Sequence, residues 1–160
     1  MNIEKIYFDL DGVLADFDSA VKHLGATQYP IGDEIWEKLK NEKNFFQKIN
    51  VMENAHLLFD IVYSKYKNKV EILTGIPQPK REMFSAADDK RQWVYDNFTK
   101  NIVVNTVYRA EKKNFCLGKE YVLIDDMKRT IKEWNKKGGV GILHISVENT
   151  IKQMKELGIL

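Results

Sequence analysis

One cysteine in 160 residues removes two kinds of architecture at the outset. A disulfide framework needs pairs, and a cysteine-built zinc site needs several thiolates at short spacings, so Cys116 serves neither. Histidine is scarce as well: His23, His56 and His144 follow no ligand spacing and are expected to be structural. Charge of one sign is missing too, since 25 basic residues face 23 acidic ones, and a net +2 gives no reason to expect stable nucleic-acid binding. No apolar run approaches the ~18 residues that a membrane span requires. The opening Met-Asn-Ile-Glu-Lys-Ile-Tyr-Phe-Asp leads straight into a strand-like run, so no export signal is expected and a cytoplasmic setting is the simplest. Three prolines and nine glycines form no linker or low-complexity tract, and there are no internal repeats.

What is present describes an ordinary folded chain. A hydrophobic share of 44% beside 30% charged residues supports one domain over 1–160 with a core of its own. Five short β-type runs stand at 3–9, 69–74, 101–107, 121–125 and 140–144. Between them the spacing turns helical. Met127, Ile131 and Trp134 precede Gly138, while Val147, Ile151, Met154 and Leu157 lie between Ser146 and Gly158. Phe84, Ala87, Val94 and Phe98 mark a third helix, and residues 55–66 a fourth. The alternation predicts an α/β fold, a Rossmann-like parallel five-stranded sheet flanked by helices. Lys65, Lys67, Lys69, Lys136 and Lys137 are expected at solvated helix ends.

Residues 16–54 break the alternation and are too long for a simple connection. They carry helical signals: Phe17, Ala20, Val21 and Leu24 at one spacing, then Asp33 as N-cap before Ile35, Trp36 and Leu39. This stretch is read as a small helical cap inserted after strand one. Its aromatics, Phe17, Tyr29, Trp36, Phe45 and Phe46, are expected mostly to fill the core of the insert.

Open parallel sheets bind ligands at the carboxyl ends of their strands. Strand one runs into Asp9-Leu10-Asp11-Gly12 and strand four into Asp125-Asp126. If those strands are neighbours, four carboxylates converge and repel unless a cation lies among them. An oxygen-only donor set suits Mg²⁺. Strand two ends in Thr74-Gly75, a hydroxyl beside a backbone that a phosphate can approach. After strand three comes Arg109-Ala110-Glu111-Lys112-Lys113, where a lysine could clamp a phosphate oxygen. Lys80, Arg81 and Arg109 are expected to be solvated. Each signal is weak alone; their order along the chain is specific.

That order resembles the haloacid-dehalogenase-type (HAD) phosphohydrolases over nearly the whole chain, with FDLDGVLADFD at 8–18, ILTG at 72–75, EKK at 111–113 and VLIDD at 122–126. Within that group it is most similar to the 5′(3′)-deoxyribonucleotidases and their bacterial and phage relatives, through Leu14-Ala15-Asp16-Phe17, Asn44-Phe45-Phe46 and Lys90-Arg91-Gln92-Trp93-Val94. Gly75 and Met127-Lys128 depart from those nucleotidases, which often carry Ser and Arg-Pro there. The resemblance implies Asp9 as nucleophile and Asp11 as general acid and base. It implies Mg²⁺ on Asp9, the Asp11 carbonyl and Asp125, with Asp126 behind them. Thr74, Gly75 and Lys112 would bind phosphate, with Lys112 preferred to Lys113. Phe17 is open to two readings, stacking beneath a base or cap core, and Trp36 and Phe45 are further substrate-binding candidates. The implied substrate is a small phosphoester, a nucleoside monophosphate first, with a sugar phosphate or a nucleic-acid end as the alternative. A receiver domain would place its paired acids before the phosphorylated Asp, and a silent binding protein would not keep every catalytic group. The oligomeric state is not legible.

Overall fold

The computed structural model describes residues 2–160. Five strands, β1 (Lys5–Phe8), β2 (Val70–Gly75), β3 (Val103–Val107), β4 (Tyr121–Asp125) and β5 (Val140–Leu143), form one sheet in the order β3-β2-β1-β4-β5. All neighbours are parallel. The strands lie inside the expected runs save at Gly75, which extends β2 by one residue.

Helices cover both faces of the sheet, so its central strands are mostly apolar and split their side chains by parity. Ile6, Phe8, Ile72, Val122 and Ile124 face one layer, whose core includes Leu58, Phe59, Trp93, Val94 and Met154. Those residues come from α3 (Ala55–Tyr66), α4 (Ala86–Asn97) and α6 (Val147–Glu156). Tyr7, Leu73 and Leu123 face the other layer, where Ile131 and Trp134 of α5 (Lys128–Lys136) pack with Cys116. Ser146 opens α6 by accepting from the Asn149 N–H at 3.1 Å, and Gly158 follows it at φ +67°.

The stretch 16–54 holds α1 (Phe17–His23), α2 (Asp33–Asn41) and a 3₁₀ turn at Phe45–Lys48. Its two ends are tied together at the base, where Asp16 N–H donates to Asn50 O and Met52 N–H to Leu14 O, each at 2.8 Å. Val21, Ile35, Leu39, Phe45 and Phe46 belong to the same core as Ile6 and Phe8, so this segment is packed onto the sheet layer.

Several local expectations need correction. Gly32, not Asp33, is the N-cap of α2 and offers no side-chain bond; Asp33 is the first helical residue and turns to Arg81 instead. Phe84 precedes α4 and is 82% exposed, because the helix starts at Ala86 and buries Ala86, Lys90, Trp93 and Val94. Lys65 and Lys69 are not simply solvated, since their ammonium groups reach the carbonyls of Ile159 and Ile3 at 2.8 and 2.7 Å. No helix among the described residues is long and apolar enough to cross a membrane.

Candidate active site

The first strand is the middle of the sheet, and the chain leaves it toward β2 on one side and reaches β4 on the other. This is the switch point at which an open α/β sheet forms a crevice. Phe8 pairs with Ile124, and the Asp9 N–H donates to Ile124 O at 2.9 Å. The residues following these two strands therefore emerge side by side. Beyond Asp9 the chain wraps tightly, with the N–H groups of Val13, Leu14 and Ala15 all directed at Leu10 O. Gly12 sits in this loop at φ +81°, and any Cβ there would collide with Asp126 Oδ2.

Lysines organise the acids. Lys112, in the 3₁₀ segment Arg109–Phe115, is 3% exposed. Its Nζ lies 2.8 Å from Asp9 Oδ1 and 2.7 Å from Asp125 Oδ2, while Asp125 Oδ1 accepts from the Met127 N–H at 2.8 Å. Lys113 does not line the cavity over these groups. Burial disfavours the Lys112 charge, but Asp9 and Asp125 outweigh it and hold the ammonium well above its ordinary range. Burial, then repulsion from Asp9, pushes Asp125 up to about 6. The same causes, with Asp125 added, push Asp126 up to about 7.

Asp9, Asp125 and Asp126 each offer a carboxylate oxygen within 4.8 Å of the others. With all three ionised, the carboxylates exceed the Lys112 ammonium by two negative charges, and all the donors are hard oxygens. The residues therefore fit a divalent cation such as Mg²⁺. Thr130 Oγ1, buried without a hydrogen-bond partner, belongs to a residue in the same cavity wall. The Asp11 side chain is not in this group. It turns to Lys90, whose Nζ lies 2.6 Å from Asp11 Oδ2, 2.8 Å from Gly75 O and 3.3 Å from Thr74 Oγ1. Burial raises the Asp11 carboxyl and Lys90 opposes the rise.

Lys90 is a site residue that the motifs mark only as a point of family likeness. It is 2% exposed and lies on the face of α4 that also buries Ala86, Trp93 and Val94. A lysine on the apolar face of a helix is the signal that could have found it. Asp89 beside it is held by Gln47 Nε2 at 2.7 Å and Ser85 Oγ at 3.0 Å, which fixes the start of α4 against the 3₁₀ turn after α2.

Above the acids opens a cavity of about 340 Å³. Asp9, Asp11, Gly75, Lys112, Asp125 and Asp126 line it together with Phe17 and Trp36. Two expected residues are placed elsewhere. Thr74 is fully buried behind Gly75 with its hydroxyl facing Lys90, and Phe45 is packed edge-on against Phe17 and Phe46, leaving Phe46 as the lining ring. Of the three cations expected to be solvated, Lys80 is exposed, but Arg81 and Arg109 are paired. Arg81 bonds Asp33 Oδ1 at 2.6 Å and lies 5.0 Å over the Trp36 ring, and Arg109 bonds Glu133 at 3.1 Å. Tyr29 also lines the cavity; as an isolated loop aromatic it carries no periodic signal.

No family model matches the chain, and no curated protein does. Its fold is that of the HAD-superfamily hydrolases. It superposes on a HAD-superfamily hydrolase from Ehrlichia chaffeensis with a TM-score of 0.57 at 12% identity, covering 98% of both chains. With L-2-haloacid dehalogenase from Xanthobacter autotrophicus, carrying covalently bound chloropropionic acid, the TM-score is 0.56 at 12% identity over 99% of this chain and 84% of that one. A HAD family hydrolase from Deinococcus radiodurans R1, with bound phosphate and sodium, gives 0.52 at 12% identity over 99% and 98%.

Proposed function

We propose that the chain is a Mg²⁺-dependent phosphomonoesterase working through a phosphoaspartate on Asp9, with nucleoside monophosphates as its preferred substrates. One observation carries the reading: two carboxylates two residues apart are held in one cavity by two different buried lysines, Lys112 for Asp9 and Lys90 for Asp11. That gives the pair different roles, because Asp9 is grouped with Asp125 and Asp126 whereas Asp11 stands apart from them.

In the proposed reaction, Asp9 attacks phosphorus while the P–O bond to the leaving alkoxide breaks. Asp11, whose carboxyl is raised by burial, gives its proton to that alkoxide. It then takes a proton from the water that attacks the acyl phosphate, which releases orthophosphate and restores Asp9. Lys112 and the Gly75 backbone face the non-bridging oxygens, and Thr74 acts behind them by fixing Lys90. Asp9, Asp125 and, behind them, Asp126 would hold Mg²⁺, which when bound shields the attacking carboxylate from the phosphate dianion. A dehalogenase reading fits less well, because a halide leaves without a proton and the third and fourth acids would have no task.

The nucleotide preference is supported by the size of the cavity and by its wall of Phe17, Tyr29, Trp36 and Phe46. The test is phosphate release from a panel of nucleoside monophosphates and sugar phosphates, with Mg²⁺ and with excess chelator. Release from nucleotides above sugar phosphates, abolished by chelation, is expected. A preference for sugar phosphates removes the nucleotidase reading, full activity in chelator removes the metal, and no release from any ester overturns the whole.

A further inference from the structure

The aromatic side chains that line the cavity differ in what already occupies their faces. Phe46 is buried, and the Lys90 ammonium lies 4.6 Å over its ring. Phe17 runs parallel to Phe46 at 6.4 Å and meets Phe45 edge-on at 6.1 Å, so it serves as packing for its neighbours. Trp36 carries the Arg81 guanidinium over its ring. Tyr29 is different: it is 67% exposed and, among the described residues, has no ring partner and no side-chain hydrogen bond. It projects from the loop between α1 and α2, yet lines the same cavity as Asp9, Asp11 and Asp126. Partial burial of its hydroxyl, then the negative charges of Asp126, Asp18, Asp11 and Asp9, hold its pKa above the ordinary value, so it remains a neutral phenol.

Resting on the reading of the site as a phosphomonoesterase, we infer that Tyr29, rather than Phe17, is the specificity residue, and that its ring stacks on a flat aromatic group of the leaving alcohol. The physical case is one of available surface. A ring that already packs against a neighbour has less free face to offer a base, whereas Tyr29 would only exchange water for it. Placing this ring on a loop opposite a rigid sheet edge also separates recognition of the leaving group from the chemistry at phosphorus.

The test compares the parent protein with Tyr29→Ala, Tyr29→Phe and Phe17→Ala. Each is assayed with Mg²⁺ on thymidine 5′-monophosphate and on glycerol 3-phosphate, which has no ring. Tyr29→Ala is expected to lower the ratio of kcat/KM for the nucleotide to that for the glycerol ester about tenfold, mainly through KM. Tyr29→Phe is expected to keep the parent ratio. A parent ratio in Tyr29→Ala overturns the inference, and so does a Tyr29→Phe ratio as low as that of Tyr29→Ala, which would assign recognition to the hydroxyl. A ratio that falls only in Phe17→Ala returns the role to Phe17. If the parent hydrolyses neither ester, the phosphomonoesterase reading itself has failed.

Discussion

At the edge of the sheet each lysine is buried among acids: Lys112 lies on Asp9 and Asp125, and Lys90 on Asp11, with both ammonium groups almost wholly enclosed. At the rim of the cavity the pairs are of another kind. Arg81 meets an Asp33 carboxylate that stands in solvent, and Lys40 meets a half-exposed Glu82. Both pairs join α2 to the 3₁₀ turn at Pro79–Arg81 or to Glu82 just after it, and of the four only Arg81 lines the cavity, so they cross between the 16–54 segment and the sheet's own loops. Water screens and replaces such contacts cheaply, while a buried charge stripped of its partner has nowhere to turn. On the proposed function, the enclosed region suits the chemistry and the replaceable one the choice of substrate.

The sharpest break in this contrast is Asp9→Asn. An amide is a far poorer nucleophile than a carboxylate, so turnover should fall to background while the far-UV circular dichroism and the unfolding midpoint show a folded protein. Measurable turnover near the parent rate would take Asp9 out of its role. Next is Lys90→Met, which removes the cation from Asp11. Misplacing an acid by an ångström costs about 10²-fold in rate, and losing a charged hydrogen bond costs roughly 1.5–3 kcal/mol of stability. Because Lys90 opposes the rise of the Asp11 carboxyl, its loss should also move the pH–activity profile of the residual enzyme to higher pH. A profile that does not move would separate Lys90 from Asp11.

On the rim the expected effects are smaller. Asp33→Ala should leave the denaturation midpoint within experimental error, because the carboxylate is fully solvated, and should change KM for a nucleotide more than kcat by loosening Arg81 over Trp36. A large stability loss would show that the rim pairs hold the fold as firmly as the buried ones at the sheet edge. The smallest effect concerns His144, buried just after β5, where its Nδ1 lies 2.8 Å from Thr150 Oγ1. Burial holds its imidazole below the ordinary 6.5, with Glu148 opposing. As pH falls below that value the unfolded chain takes up a proton that the folded one resists, so stability declines by at most about 1.4 kcal/mol per pH unit. Chemical denaturation of His144→Asn between pH 5 and pH 7 should show a flatter slope than the parent.

Much of this is legible in the residues themselves. Apolar runs ending in acids show where strands stop, and a parallel sheet needs both faces apolar, so β1 and β4 can be read without coordinates. The order of Asp9, Asp11, Lys112, Asp125 and Asp126 along the chain is legible for the same reason: each lies at the end of a strand or in the segment that follows it, where side chains turn from core to crevice. Boundaries such as those at Asp33 and Phe84 differ from the pattern because caps are settled by competing partners, here Arg81 for Asp33.

The sequence alone determined the sheet, its helices and the acids at its carboxyl edge, because burial periodicity and strand ends are local properties. Only the tertiary structure decided which lysine serves which acid, that Thr74 turns behind Gly75 to Lys90, and that Phe45 is packing while Tyr29 is free. Those are outcomes of distance between segments far apart in the chain, with Lys90 79 positions from Asp11, and no local pattern encodes them.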